Sequence, residues 1–264
     1  LEENFLDKFI KQYFISPAAG KRLIAKSLLH IISIVEALED KTIVIIAGTT
    51  NGYVVEEIFK RKTQEISFSK KRFFRGVSLP HQYIMTDTGR LRDEGHFPGD
   101  VVIVKGKWEK GKTIFDVADS LKKGDIIIKG ANAVNLEKKQ AAVYIGHPAA
   151  GTIGVVLQAV LGRRVELYLP VGLEKRIHGD INEIAKRLNS SNAMGLRYLP
   201  VSGNIITELD AIKQITGASA ELVASGGVCG AEGSCWIAVS GNSKQLIHMD
   251  DLTKDINSEP NFEL

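Results

Sequence analysis

A lysine and two asparagines line a turn that follows a short, wholly apolar run. The segment Gly124–Asn135 reads Gly-Asp-Ile-Ile-Ile-Lys-Gly-Ala-Asn-Ala-Val-Asn. Ile126-Ile127-Ile128 has the composition of a strand buried on both faces. Lys129, Gly130, Asn132 and Asn135 follow it directly. In open parallel sheets, ligands bind beyond the carboxyl ends of the strands, so this turn is expected to face a site. One ammonium and two amides hold a ligand well but move protons poorly. The alternative is that Lys129 lays its stem along the strand end while the asparagines close Asx-turns.

Four other segments carry comparable groups. Gly48-Thr49-Thr50-Asn51-Gly52 lies between an apolar strand and a helix, where backbone N–H groups and the helix dipole suit a phosphate or carboxylate. It has neither the Walker lysine nor the dinucleotide fingerprint, and a plain capped turn is the competing reading. Gly146–Gly154 offers His147, Gly151 and Thr152 before another helix, a second expected anion site with an acid/base candidate in His147. Glu174 and Lys175 follow a strand and are read either as chemical groups at the sheet edge or as an exposed ion pair. The polar stretch containing Asp87, Arg90, Arg92, Asp93, Glu94 and His96 is long enough for a lid. His81, His96 and Asp93 match no compact metal-ligand spacing, and no metal or cofactor is expected.

The elements that must position these groups follow from periodicity. Residues 1–14 read as an amphipathic helix. Ser16-Pro17 then caps a helix over Ala18–Leu38, with apolar residues at helical spacing. Strands are expected at Thr42–Ala47, Arg72–Leu79, Val101–Lys105, Ile126–Lys129, Ala141–Ile145 and Val165–Pro170, with helices at Tyr53–Arg61, Ile114–Leu121 and from the Gly146–Gly154 loop through Val160. This alternation predicts an α/β domain with a Rossmann-like open, mostly parallel sheet over residues 1–178. Beyond it, a helix at Ile181–Leu188, a strand at Arg197–Val201, a helix at Ile206–Ile215 and a hairpin of Glu221–Ala224 and Trp236–Ser240 predict a smaller α+β unit over 179–256, with a frayed tail at 257–264.

Bulk properties narrow the function classes. The chain of 264 residues is 44% hydrophobic and 25% charged, which is ordinary for a globular protein. Its net charge of +3, from 34 Lys+Arg against 31 Asp+Glu, is too small and too evenly spread to argue for nucleic acid. The densest basic cluster, Lys70-Lys71-Arg72 with Arg75 beside Phe73 and Phe74, reads as a solvated strand start. No apolar run suits a membrane span and no secretory leader is visible. The start at Leu1 reads as trimmed. Cys229 and Cys235 are too few for a disulfide scaffold and lie in a Gly-rich segment that reads as a wide hairpin turn. A cytoplasmic protein, free or as a homo-oligomer, is expected.

Taken in order, these segments resemble the superfamily of ribose-5-phosphate isomerase, glucosamine-6-phosphate deaminase and CoA transferases, with the A-type isomerase nearest. The Lys-containing helix from Lys21, the strand Thr42–Ala47 and the Gly48–Gly52 loop are similar to the start of those proteins. Lys129-Gly130-Ala131-Asn132-Ala133-Val134-Asn135 resembles their Asp-Gly-Ala-Asp-Glu-Val-Asp turn. Gly146–Gly154 resembles their second Gly-rich loop, Glu174-Lys175 stands where they carry Ser-Lys, and Leu199–Ser240 resembles their closing strand, helix and hairpin. The likeness spans most of residues 18–240 and is poor over 65–115.

The resemblance implies a phosphate-binding site, with the anion on Gly48–Gly52. It also implies isomerase carboxylates at positions that here hold Lys129, Asn132 and Gln158. An amide cannot act as a general base. The expectation is therefore a binder of a small phosphorylated or anionic metabolite: an enzyme with Lys129, His147, Glu174 and Lys175 as its chemical groups and a reaction other than sugar-phosphate isomerisation. The alternative is a non-catalytic sensor like the effector domains of sugar-responsive repressors in that superfamily, although residues 1–38 offer no basic recognition helix.

Overall fold

A computed structural model describes residues 8–62, 67–76, 78, 79, 81, 83, 84, 97 and 99–263. The polar stretch from Asp87 to His96 and its proposed lid role lie outside the described residues. Among the described residues there are eight α-helices and twelve strands. None of the helices is long and apolar enough to cross a membrane.

The centre is a six-stranded mixed sheet. Its strands are β2 (Thr42–Ile45), β3 (Val101–Val104), β4 (Lys107–Trp108), β5 (Ile126–Ile128), β8 (Glu166–Pro170) and β10 (Asn204–Ile206), in the order β10-β8-β5-β2-β3-β4. The first four in that order run parallel, with Ile43 opposite Ile126, Ile128 opposite Tyr168 and Ile206 opposite Pro170. β3 turns back antiparallel to β2, and β4 antiparallel to β3. The sheet is thus mixed, and β10, which the sequence reading did not assign, ends at Ile206, where the predicted helix was to begin.

The triple isoleucine explains why β5 is central. Successive strand side chains point to opposite faces. Ile127 enters a core with Val44, Leu167 and Val102, completed by α4 (Ile114–Val117) and α5 (Gly151–Arg163). Ile126 and Ile128 enter a second core with Ile43, Ile45 and Tyr168, completed by α1 (Pro17–Leu28), α2 (Ile32–Asp40) and α3 (Thr49–Arg61). All three are buried.

Two smaller sheets flank this centre. β6 (Ala133–Asn135), β7 (Gln140–Ile145) and β9 (Arg197–Val201) pair antiparallel under α6 (Ile181–Leu188). β1 (Phe9–Ile15) pairs with β12 (Cys235–Gly241), which pairs with β11 (Ser219–Ser225). Tyr13, Ile15, Ile237 and Val239 pack there with α7 (Glu208–Thr216) and α8 (Ser243–Ile256).

Several expectations need correction. The described part of residues 1–14 is a strand, not a helix, because Tyr13 and Ile15 alternate into a core that β12 supplies. The long helix Ala18–Leu38 is two helices. After Leu28 the turn tightens, with His30 N–H donating to Ser27 and Ile31 N–H to Leu28, and α2 then lays Ile34, Ala37 and Leu38 on the second core. Strand Arg72–Leu79 is absent among the described residues, where Lys70–Arg72 forms a 3₁₀ turn and Phe73 and Phe74 are buried. The strand at Ala141–Ile145 exists but belongs to an antiparallel side sheet. The tail is held, since Glu259 pairs with Arg22 and Lys70 and Phe262 packs on Phe74.

Candidate functional site

The ends of β2, β5 and β8 lie side by side at the carboxyl edge of the parallel strands. Ile46 N–H donates to Ile128 O at 2.9 Å, and Lys129 N–H donates to Tyr168 O at 2.9 Å. Asn51 closes the edge from α3: its Nδ2 donates to Ile46 O at 2.7 Å and to Ile128 O at 3.1 Å. The antiparallel β3 begins where the parallel strands end, so Asp100 joins the same edge. Its carboxylate accepts from Ala47 N–H at 2.9 Å and Ile114 N–H at 2.9 Å, and from Arg75.

Lys129 stands among these groups without a side-chain hydrogen bond or ion pair among the described residues. It keeps some accessible surface although protein crowds its ammonium. Asp100, the nearby acid, is already committed to Arg75 and two backbone donors. Burial, then the neighbouring Arg75 and Lys175 cations, push the Lys129 pKa down to about 8, against a pull from Asp100.

Glu174 and Lys175 lie in a 3₁₀ turn, Leu173–Lys175, just after β8. They do not form the exposed pair that the sequence also allowed. Lys175 Nζ donates to Ala131 O at 3.0 Å. Glu174 instead accepts from Lys21 at 3.1 Å, with side-chain exposures of 18% and 11%. Burial raises the Glu174 pKa, but Lys21 and Lys175 outweigh it and the carboxylate stays ionised below its ordinary range. Burial likewise lowers the Lys175 pKa.

Beneath them lies a second acid that the sequence reading missed. Glu208, at the start of α7, is buried, and its Oε2 accepts from Leu173 N–H at 2.9 Å. Burial and the Glu174 charge hold its carboxyl well above the usual carboxylate range. Two glycines make room for these acids. A Cβ at Gly172 would meet Glu174 Oε2 at 1.8 Å, and one at Gly20 would meet Glu208 Oε1 at 2.4 Å.

The Gly48–Gly52 segment is the first turn of α3 rather than a free loop. Gly48 is its extended N-cap and supplies no side-chain cap. Thr50 and Asn51 are buried, and Thr50 Oγ1 and Asn51 Oδ1 lack hydrogen-bond partners among the described residues. Gly48 and Thr49 keep surface. Gly52 serves packing, since a Cβ there would come within 2.7 Å of the Lys70 Cβ. Gly130 follows Lys129 with nothing nearer its missing Cβ than Pro170 O at 4.0 Å.

The remaining sequence candidates lie elsewhere. Asn132 Oδ1 accepts from Tyr144 N–H at 3.0 Å, whereas Asn135 donates to Gly179 O at 3.2 Å and accepts from Lys138 N–H at 2.9 Å. Only the Asn135–Lys138 bond closes a local turn, as the Asx alternative has it; the other two reach across to separate segments. His147 is exposed on the turn after β7, where its Nδ1 accepts from Ala149 N–H at 3.1 Å. No hydrogen bond or ion pair among the described residues links it to Lys129 or Glu174. Gly151 and Thr152 open α5, whose N-cap, Ala150, adopts a left-handed φ of 60°. Arg75 was read as solvated surface; it is 13% exposed and paired with Asp100. Cys229 and Cys235 are free thiols, and burial pushes Cys235 up to about 11.

A cavity of about 300 Å³ opens instead between β6, β10, α7 and β11, lined by Asn135, Lys139, Thr207, Asp210 and Lys213. Asp210 is spent capping α7 through Thr207, which leaves Lys139 and Lys213 as the charged groups of the cavity. No protein-family profile, curated protein or solved structure matches the chain.

Proposed function

We propose that this is a Rossmann-like α/β enzyme of the isomerase, deaminase and CoA-transferase superfamily. In this reading it binds a small phosphorylated or otherwise anionic metabolite at the carboxyl edge of β2, β5 and β8. The observation that carries it is the Lys129 ammonium, accessible and without a carboxylate partner among the described residues, with Arg75 and Lys175 as neighbours. An anion there relieves mutual repulsion among cations. The uncapped first turn of α3, with Gly48 and Thr49 at the surface, adds backbone donors of the kind anions use. Glu174, ionised and partly exposed, is the base of this reading, and Lys175 is its acid.

Thermal denaturation against inorganic phosphate, sugar phosphates, nucleotides and CoA esters tests the reading. A specific ligand at a hundred times its Kd stabilises the fold by about 2.7 kcal/mol. The expected result is stabilisation by at least one anion class that Lys129→Ala weakens. Consumption of that anion distinguishes the enzyme from a sensor, which binds without turnover. Anion stabilisation unchanged by Lys129→Ala removes Lys129 from the site.

A further inference from the structure

We propose that Lys129 is an amine nucleophile that condenses with the carbonyl carbon of a small anionic aldehyde or ketone to form an imine. The inference rests on the anion-binding reading and adds the reacting group and the substrate class.

Three features of the geometry point to it. First, Lys129 is fixed at the root: its N–H bonds to Tyr168 O at 2.9 Å, immediately after the buried Ile128. Second, its side chain makes no hydrogen bond or ion pair among the described residues. A lysine kept for charge alone would meet a carboxylate, as Lys21 meets Glu174 and Lys70 meets Glu56. Among the described residues, the ionisable neighbours of Lys129 are Arg75, Lys175 and an Asp100 that Arg75 and two backbone donors already occupy. Third, Lys129 keeps accessible surface at the carboxyl edge of the parallel strands. Crowding, with no counter-ion among the described residues, favours the neutral amine, the form that attacks a carbonyl.

The step balances with groups at hand. The Nζ lone pair bonds to the carbonyl carbon as the π pair moves to oxygen. A proton passes through solvent from nitrogen to that oxygen, giving the carbinolamine. The Lys175 ammonium protonates the hydroxyl, which leaves as water as the nitrogen lone pair forms the C=N bond, and the iminium N–H proton then returns through solvent to Lys175 to leave the imine. The net change is amine plus carbonyl giving imine plus water, with no oxidant or reductant. The anionic group of the substrate lies against Arg75 and Lys175.

The experiment is competitive trapping on the intact chain. Glyceraldehyde 3-phosphate, glyoxylate or uncharged acetaldehyde is added at pH 7.5 with cyanoborohydride, and each lysine is scored by peptide mass. The two anionic aldehydes are expected to label Lys129 about tenfold above the other lysines, the margin a lowered ammonium pKa allows. They should also exceed acetaldehyde at that position, and excess inorganic phosphate should protect it. Labelling that follows surface exposure, with no preference for Lys129, overturns the proposal. If phosphate still raises the melting temperature in that case, the imine fails alone and anion binding stands. If neither labelling nor stabilisation is seen, both fail.

Discussion

Gly20 and Glu208 meet across the gap between α1 and α7: a Cβ on residue 20 would come within 2.4 Å of Glu208 Oε1. The carboxyl cannot simply swing away, because its other oxygen accepts from Leu173 N–H and the side chain is buried. In an exposed helix interior, replacing Gly by Ala stabilises by about 1 kcal/mol. Here the sign reverses. Gly20→Ala should destabilise by about 1–3 kcal/mol through overpacking, read as a lower denaturation midpoint at constant slope. A midpoint that rises would show that Glu208 has room to move.

That glycine also shows how far the sequence can be read. The triple isoleucine, the Ser16-Pro17 helix start and the β11–β12 hairpin were legible because periodicity and capping are local. The helix break after Leu28 was not, since neither Gly nor Pro marks it and Ile31–Leu38 keep helical spacing. The first strand was missed because what makes Phe9–Ile15 a strand is β12, more than two hundred residues away. At the site, Lys129, Glu174 and Lys175 were found from their place after apolar strands. Lys21, Asp100 and Glu208, which surround them, were not, because contacts across elements leave no local pattern. Gly20, inside an otherwise good helix, was the one visible sign that something approaches α1 closely.

Glu208 should make stability fall as pH rises. The folded state raises its pKa, so it holds a proton that the unfolded chain releases. The stabilisation is complete below the unfolded carboxylate range, near pH 4, and is lost as pH climbs through the raised folded value. Glu174, Lys21, Lys175, Cys235 and the Leu173 N–H face it. Glu208→Gln imitates the protonated carboxyl and should flatten this decline. The check is unfolding free energy measured from pH 5 to 9 for both proteins. Parallel curves would mean that Glu208 ionises normally.

The chain's last residues brace the first helix. Arg22, 6% exposed on its side chain, lies over the Tyr53 ring and pairs with Glu56, Glu57 and Glu259. Lys70 joins through Glu56 and Glu259. Arg22→Ala leaves several carboxylates together and should cost about 3–5 kcal/mol. Ending the chain after Ser258 removes Glu259 and the Phe262 contact with Phe74 but leaves Arg22 two acids. Its cost should be smaller, about 1–3 kcal/mol. Because the network is enclosed, salt should change these values little. Equal losses for the two changes would place the whole effect in the tail.

Lys129 should be a liability to folding. Its ammonium is crowded by protein, near Arg75 and Lys175 and only partly offset by Asp100, so the charged form is disfavoured in the folded state. A base whose pKa falls on folding lowers stability fully below the folded value, here about 8. The deficit closes as pH rises toward the unfolded lysine value. Lys129→Met keeps the stem and discards the charge. It should stabilise the ligand-free protein at pH 7 by about 1–2 kcal/mol, with the gain shrinking by pH 10. The same substitution should weaken stabilisation by anions, so saturating ligand narrows or reverses the gap between the two proteins. Denaturation at pH 7 and pH 10, with and without inorganic phosphate, measures both. A ligand-free Lys129→Met that is less stable than the wild type at pH 7 would mean the ammonium has a counter-ion, and Lys129 would then be a structural cation.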